Sequence, residues 1–193
     1  MSWRRRLAIV LAGAAGFGLL MAVIKGQGAG ARDALGNISA PWLLLSFLAG
    51  STFARVRVAA LLGLVAALAA LAAFYAGESV ILDLGPHSWL TDLNLTMRAG
   101  GYYFIQGLVS GPIFGALGGL WARRRSATVG VVPALLFALE PLIVLVYQRS
   151  TGGSPTEAGL LTHYPWMWAT EVLAGVAAVT LIVRRRIRRA QDI

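Results

Sequence analysis

The sequence consists of long apolar runs separated by short clusters of arginine. Residues 58–76 and 166–183, for example, are dominated by alanine, leucine and valine. About 20 consecutive apolar residues form a helix that can cross the hydrocarbon layer of a membrane. Only 13% of the 193 residues are charged, whereas about 25% is usual for a soluble domain. The pattern therefore predicts an integral membrane protein.

Six transmembrane helices are predicted, so the fold class is all-α and the chain is expected to be a single polytopic membrane domain over residues 1–193. The spans are expected at residues 7–24, 41–54, 58–76, 101–121, 129–147 and 166–183. The glycine-rich segment 25–39 is expected to be a loop. In "WLTDLNLTM", Leu90, Leu93 and Met97 recur at helical spacing, which predicts a short helix at the membrane surface.

The basic residues indicate the direction of the spans. Four segments, at residues 4–6, 55–57, 123–125 and 184–189, hold 13 of the 17 basic residues. Six helices place these segments on one side, which the positive-inside rule assigns to the cytoplasm. Both termini are therefore expected in the cytoplasm. The excess of arginine over lysine is typical of a GC-rich bacterial genome. The expected localisation is the bacterial inner (plasma) membrane. Short arginine flanks do not predict a nucleic-acid partner.

Two glutamates lie inside predicted spans. A carboxylate there costs several kcal/mol unless it faces protein or water, so a functional role is the default hypothesis. Glu140 is seven residues from Tyr147, and Glu171 is five residues after Trp166, so both lie at similar depth in the outer half of the membrane. Consecutive antiparallel helices usually pack together, so the two carboxylates are expected to share one cavity. A structural hydrogen bond from protonated Glu140 is the alternative.

Aromatic and polar side chains gather in the same outer half of the membrane. Helical spacing puts Tyr147 on the face of Glu140 and Trp168 on the face of Glu171. The expected ligand-binding residues are Glu140, Glu171, Tyr102, Tyr103, Gln106, Trp168 and Tyr147. Carboxylates beside aromatic rings favour a cationic or aromatic small molecule. Near the outer surface, Arg98 is expected to pair with Glu78.

Small residues recur every four positions in two of the spans. The rows are Ala8, Ala12 and Gly16 in span one, and Gly107, Gly111 and Gly115 in span four. Such rows let helix backbones approach closely. A row that faces the bundle is a packing seam, and a row that faces outward is a docking surface for another membrane subunit. The sequence leaves both possibilities open.

The sequence lacks the motifs of several common cofactor-binding and catalytic sites. The chain has no cysteine, and it contains neither a phosphate-binding glycine loop nor a paired-histidine metal motif. No metal or cofactor is therefore expected, and an enzyme is less favoured than a binding protein. Any energy for transport has to come from partner subunits or an ion gradient.

The architecture resembles one known family. A six-helix chain of about this size, with Ala8 and Ala12 in "LAIVLAG" and the glycine-rich stretch "GPIFGALGGLW" at 111–121, is similar to the substrate-binding S components of energy-coupling-factor vitamin transporters. The resemblance implies a solute-binding transport subunit with a pocket open to the outer face. An uncharacterised bacterial six-helix membrane family fits equally well. The alternatives are an accessory subunit of a membrane complex and an intramembrane enzyme that uses both glutamates as acid and base.

Overall fold

The structure is a computed structural model that describes residues 3–27, 30–82, 88–124, 126–151 and 163–191. These residues form helices and short turns, with no strand among them. The helices are α1 (Trp3–Lys25), α2 (Gly30–Asn37), α3 (Ala40–Ser51), α4 (Val56–Ile81), α5 (Trp89–Ala99), α6 (Gly101–Arg124), α7 (Ala127–Thr151) and α8 (Pro165–Gln191). Within the described part, six segments are long and apolar enough to cross a membrane. The prediction of an all-α protein with six membrane helices is confirmed.

The second candidate span is longer than its sequence pattern suggests. It comprises α2 and α3 together, over Gly30–Ser51, so the prediction of a loop through the glycine-rich segment is wrong. Gly26 ends α1 in the left-handed conformation with φ 63°. The Arg32 guanidinium then donates hydrogen bonds to the carbonyl oxygens of Val23 and Ile24. Those carbonyls have no partner within α1, so Arg32 ties α2 to the end of α1.

The predicted short helix is present as α5. Ser88 caps its first turn by accepting a hydrogen bond from the backbone N–H of Thr91. The buried side chains are Asp92 and Thr96, whereas Leu90 is 69% exposed. Asp92 and Thr96 therefore face the protein, and the apolar side chain of Leu90 faces outward, as it does in a helix that lies at a membrane surface.

The chain divides into two compact units, Met1–Arg124 and Arg125–Ile193, which we call the N-terminal unit and the C-terminal unit. α4 is the centre of the N-terminal unit, because it packs against α1, α3, α5 and α6. Lys25 at the end of α1 bonds Glu78 near the end of α4, so these two helices run parallel. The expectation of one domain over residues 1–193 stays a prediction.

The arginine clusters of the N-terminal unit share one end. Arg6, near the start of α1, donates a 3.0 Å hydrogen bond to the carbonyl of Thr52, which follows α3. Arg55 directly precedes α4, and Arg124 ends α6. Gly100, just before α6, packs on a ring near the end of α4, so α6 returns to the arginine end. The opposite end carries the Lys25–Glu78 pair.

Glycines bring three helices of this unit into backbone contact. Gly63 of α4 lies against Gly111 and Gly115 of α6, and Gly50 of α3 also lies against Gly115. A Cβ atom on Gly115 would meet the carbonyl oxygen of Ala59 and the Cα atom of Gly63. The glycines of α6 thus form a packing seam inside the N-terminal unit, which we call the glycine seam.

In the C-terminal unit, α7 and α8 pack against each other. Gly175 of α8 lies against the backbone of Ala134 and Ala138, which are one turn apart on α7. α7 continues as a helix through both Pro133 and Pro141. The glycine contact sets the position of one helix along the other and therefore decides which side chains meet.

Replacing Gly115 by alanine is expected to destabilise the protein by about 1–3 kcal/mol, because its methyl group overpacks the glycine seam. Gly13→Ala is the matched control, since nothing lies within 4 Å of a Cβ atom there. Alanine is also better than glycine in a helix by about 0.5–1 kcal/mol. Thermal unfolding in detergent measures both variants, and equal melting temperatures would contradict the seam.

Candidate functional site

A cavity of about 150 Å³ lies within the N-terminal unit, away from its arginine clusters. Its walls come from the start of α3, the second half of α4 and the first half of α6, with Lys25 at the end of α1. At the glycine seam α4 and α6 touch through their backbones, whereas Gly107 meets the side chain of Leu71 instead. Larger side chains therefore keep the two helices apart at the cavity.

The cavity combines polar groups with aromatic and aliphatic surface. The polar lining residues are Lys25, Ser39, Ser46, Tyr75, Tyr103, Gln106 and Ser110. The larger apolar ones are Trp42, Leu43, Leu71 and Phe74. Apolar walls with a few placed polar groups are typical of small-molecule sites.

Lys25 supplies the charge in this lining. Its ammonium nitrogen is 2.5 Å from Oε1 of Glu78 and 5.4 Å from the ring centre of Phe74. Glu78 is buried, so the ion pair neutralises a carboxylate that would otherwise be costly inside the protein. An ammonium has three N–H donors and the salt bridge uses one of them. Lys25 is therefore chemically able to bind an acceptor group of a ligand as well.

The predicted pairing of Glu78 with Arg98 is wrong. Within the described part of the chain, Glu78 pairs with Lys25 because α1 and α4 are adjacent and end at the same side. Arg98 instead lies exposed in the last turn of α5.

Aromatic contacts hold the wall of the cavity in place. The ring of Trp42 meets Phe17 and Phe74 edge-on, with centroid distances of 5.1 and 5.4 Å. Phe74 meets Tyr75 in the same way at 5.1 Å, and Tyr75 stacks on Phe104 at 5.6 Å. Edge-to-face and stacked pairs add about 0.5–1.5 kcal/mol each beyond area burial. The aromatic surface is therefore preformed.

Two of the residues expected to bind a ligand line this cavity. Tyr103 and Gln106 do so, and both side chains are exposed, which places them at its rim. Tyr102 is 63% exposed and packs its ring against Tyr103 at 6.0 Å without joining the lining. Adjacent residues of a helix point about 100° apart because a turn holds 3.6 residues. Tyr102 and Tyr103 therefore cannot both face the cavity.

The two membrane glutamates meet in the C-terminal unit. Glu140 of α7 and Glu171 of α8 are 8% and 6% exposed, and their carboxyl groups are close enough to interact. The contact of Gly175 with α7 lies one helical turn away and brings the two carboxyl groups level with each other. Among the described residues, neither carboxyl oxygen of Glu171 meets the geometry of a hydrogen bond. We call these two residues the carboxyl pair.

Trp168 and Tyr147 are the remaining residues that are expected to bind a ligand. Trp168 is half-buried and lies one turn before Glu171. Tyr147 belongs to α7, and its side chain lies outside the described part of the chain.

The two rows of small residues have different surroundings. Gly107, Gly111 and Gly115 are buried against α4. In contrast, Ala8, Ala12 and Gly16 are exposed on α1, whose buried face carries other residues, among them Ala14 and Gly18. The row of span four is thus internal, and the row of span one faces outward.

Several residues that line the cavity are not predicted from the sequence. The sequence pattern indicates only that Lys25 flanks the first span. Lys25, the only lysine, lies at the end of that span, and Glu78 lies near the end of a span that runs in the same direction. Two parallel helices bring their ends to the same side of the membrane, so the predicted helix directions could have indicated this ion pair. Ser46 and Trp42 lie in an apolar run whose pattern does not reveal which side faces a cavity.

Comparison with known proteins identifies a family but no activity. Neither a curated protein nor a solved structure matches the chain. These comparisons show no relationship to the S components of vitamin transporters. A family model matches residues 1–192, and it is described as a family of unknown function. With nearly its whole length matched, the chain belongs to the DUF6518 family.

Proposed function

We propose that the protein is a membrane solute-binding or transport subunit whose ligand occupies the cavity of the N-terminal unit. The observation that supports it is the cavity itself, which has Lys25 and two tyrosines among apolar walls. With exposed residues at its rim, the cavity is accessible to a solute.

The size of the cavity limits the ligand to a small molecule. The cavity has a volume of about 150 Å³. An apolar cavity of about this volume holds a molecule of the size of benzene. The rings of Trp42, Phe74 and Tyr75 offer surface for stacking. Serine, tyrosine and glutamine groups supply hydrogen bonds. We therefore assign the ligand class as a small aromatic molecule with polar substituents.

The charge of the ligand follows from Lys25. The expectation of a cationic ligand depends on Glu140 and Glu171, which are not among the residues that line this cavity. Here the lining charge is positive and is already paired with Glu78. A neutral ligand, or one with a carboxylate or other acceptor near Lys25, fits this arrangement better than a cation.

The orientation in the membrane completes the proposal. The arginine end of the N-terminal unit faces the cytoplasm under the positive-inside rule, so the cavity faces the outer side and both termini are cytoplasmic. The outward row at Ala8, Ala12 and Gly16 supports a further membrane subunit as partner. The same row favours the second candidate function, an accessory subunit of a larger membrane complex.

Filling the cavity is expected to remove the ligand. Ser46 is 1% exposed and lines the cavity, so Ser46→Phe places a ring in the ligand space. Leu48→Phe is the matched control, because Leu48 lies on the same helix and is 52% exposed. Native mass spectrometry of the purified protein should show a small-molecule adduct that Leu48→Phe keeps and Ser46→Phe loses.

Two results of this assay would contradict the proposal. One is a wild-type protein that carries no adduct when released from native membranes. The other is an adduct that persists in Ser46→Phe while its melting temperature shows a folded protein. Glu140→Gln in the same assay tests the sequence-based expectation that Glu140 binds the ligand, since loss of the adduct would assign it to that site.

The orientation is testable because the chain has no cysteine. Gln27→Cys marks the turn after α1, and Ser126→Cys marks the connection between α6 and α7. A membrane-impermeant maleimide should label the first variant in intact cells and the second only after the membrane is opened. The reverse pattern would invert the proposed orientation and turn the cavity toward the cytoplasm.

A further inference from the structure

The carboxyl pair lies where two negative charges are hard to sustain. Both Glu140 and Glu171 are more than nine-tenths buried, in segments that qualify as membrane spans. A buried carboxylate without a compensating charge costs several kcal/mol, and a second one beside it adds Coulomb repulsion. Two ionised carboxylates in contact are therefore unfavourable in the membrane interior.

The other buried glutamate of a span shows the contrast. Glu78 is equally buried, but the ammonium of Lys25 neutralises it. Glu171 has no such partner among the described residues, since neither of its oxygens meets hydrogen-bond geometry there. Among the described residues, Glu78 is thus paired with a cation, whereas Glu171 lies beside another carboxyl group.

The basic residues of α7 and α8 lie far along these helices from the carboxyl pair. α7 and α8 pack on each other, and the other titratable or charged residues of the described part of these helices lie toward their ends. Arg184 is 13 residues from Glu171, which is about 20 Å along a helix. His163 and Tyr164 precede α8. Tyr147 and Arg149 lie at the far end of α7, with side chains outside the described part.

A proton resolves the arrangement chemically. An ionised carboxylate only accepts hydrogen bonds, whereas a protonated one also donates through its O–H group. Glu140 lies close enough to act as the partner of Glu171, but two ionised groups have no hydrogen to share. A proton on either one converts the contact into an O–H···O hydrogen bond and removes one negative charge.

We propose that Glu140 and Glu171 together form a proton-binding site within the membrane, built by the α7–α8 contact at Gly175. The site is independent of the function proposed for the cavity. A proton fits better than a metal ion because no third histidine, aspartate or glutamate of the described residues joins the two glutamates. Membrane carboxyl groups of this kind carry protons in pumps and transporters, so the site would give the protein a proton-linked step.

Infrared spectroscopy of the purified protein at neutral pH tests the proposal directly. A protonated carboxylic acid has a carbonyl stretch that ionised carboxylates lack. The wild type should show this band, and Glu78→Gln should keep it because Glu78 is paired with Lys25. The double variant Glu140→Gln and Glu171→Gln should lose it. The proposal is overturned if the wild type lacks the band or if the band survives the double replacement.

Stability against pH gives a second measurement that does not need the double variant to fold. In the unfolded chain both carboxyl groups are ionised at neutral pH, whereas the folded protein holds a proton. Folding therefore takes up a proton, and stability falls as the pH rises. The melting temperature should drop from about pH 7 to about pH 9 in the wild type and drop less in Glu171→Gln.

Sodium distinguishes a proton from another small cation. Adding sodium chloride in place of potassium chloride at constant pH should leave the wild-type melting temperature unchanged. A rise that Glu171→Gln abolishes would make the carboxyl pair a sodium site and would overturn the proton assignment. An equal pH dependence in the wild type and in Glu171→Gln would also overturn it.

Discussion

Backbone contact between α4 and α6 at Gly63 and Gly115 is the constraint on which the N-terminal unit depends. In a membrane, apolar helices gain little from leaving lipid, so packing and hydrogen bonds hold them together. Because the glycines at the seam have no side chain, the backbones of α4 and α6 are in contact at that end. Toward the other end the side chain of Leu71 lies between α4 and Gly107 of α6. The seam and the cavity are thus two ends of one tapered interface.

In both units, the charged groups that the structure describes in the membrane spans are either exposed at helix ends or buried beside a partner. The arginine clusters of the N-terminal unit lie at helix ends, where water or lipid head groups can solvate them. The buried glutamate near the cavity has a lysine, and the two glutamates of the C-terminal unit have each other. Small residues at each helix contact set the axial position of one helix relative to its neighbour. That position determines which polar side chains of the two helices lie at the same height and can interact.

The sequence predicts the helices better than it predicts the cavity. Apolar length identifies the membrane helices, because lipid imposes the same requirement on every span. Helix direction within the N-terminal unit agrees with the alternation of the arginine clusters. The lining of the cavity depends instead on helix rotation, which decides that Tyr103 reaches the rim of the cavity and Tyr102 does not. Rotation is set by contacts such as Gly63 with Gly115, between residues far apart in the chain, and no local pattern reveals them.

The second span shows a related limit. A glycine-rich composition predicts a loop, yet Arg32 reaches the open carbonyls of α1 and anchors a short helix there. Such an anchor depends on a contact between two elements, not on the propensity of either one.

The single lysine has a consequence for chemistry at the bench. Since Lys25 lines the cavity and no other lysine exists in the chain, an acylating reagent meets only one side-chain amine in the whole protein. Its rate of modification therefore reports on one place, and a solute seated beside Lys25 shields that amine. If the proposed solute binds in the cavity, acylation of Lys25 therefore reports its binding without an engineered label.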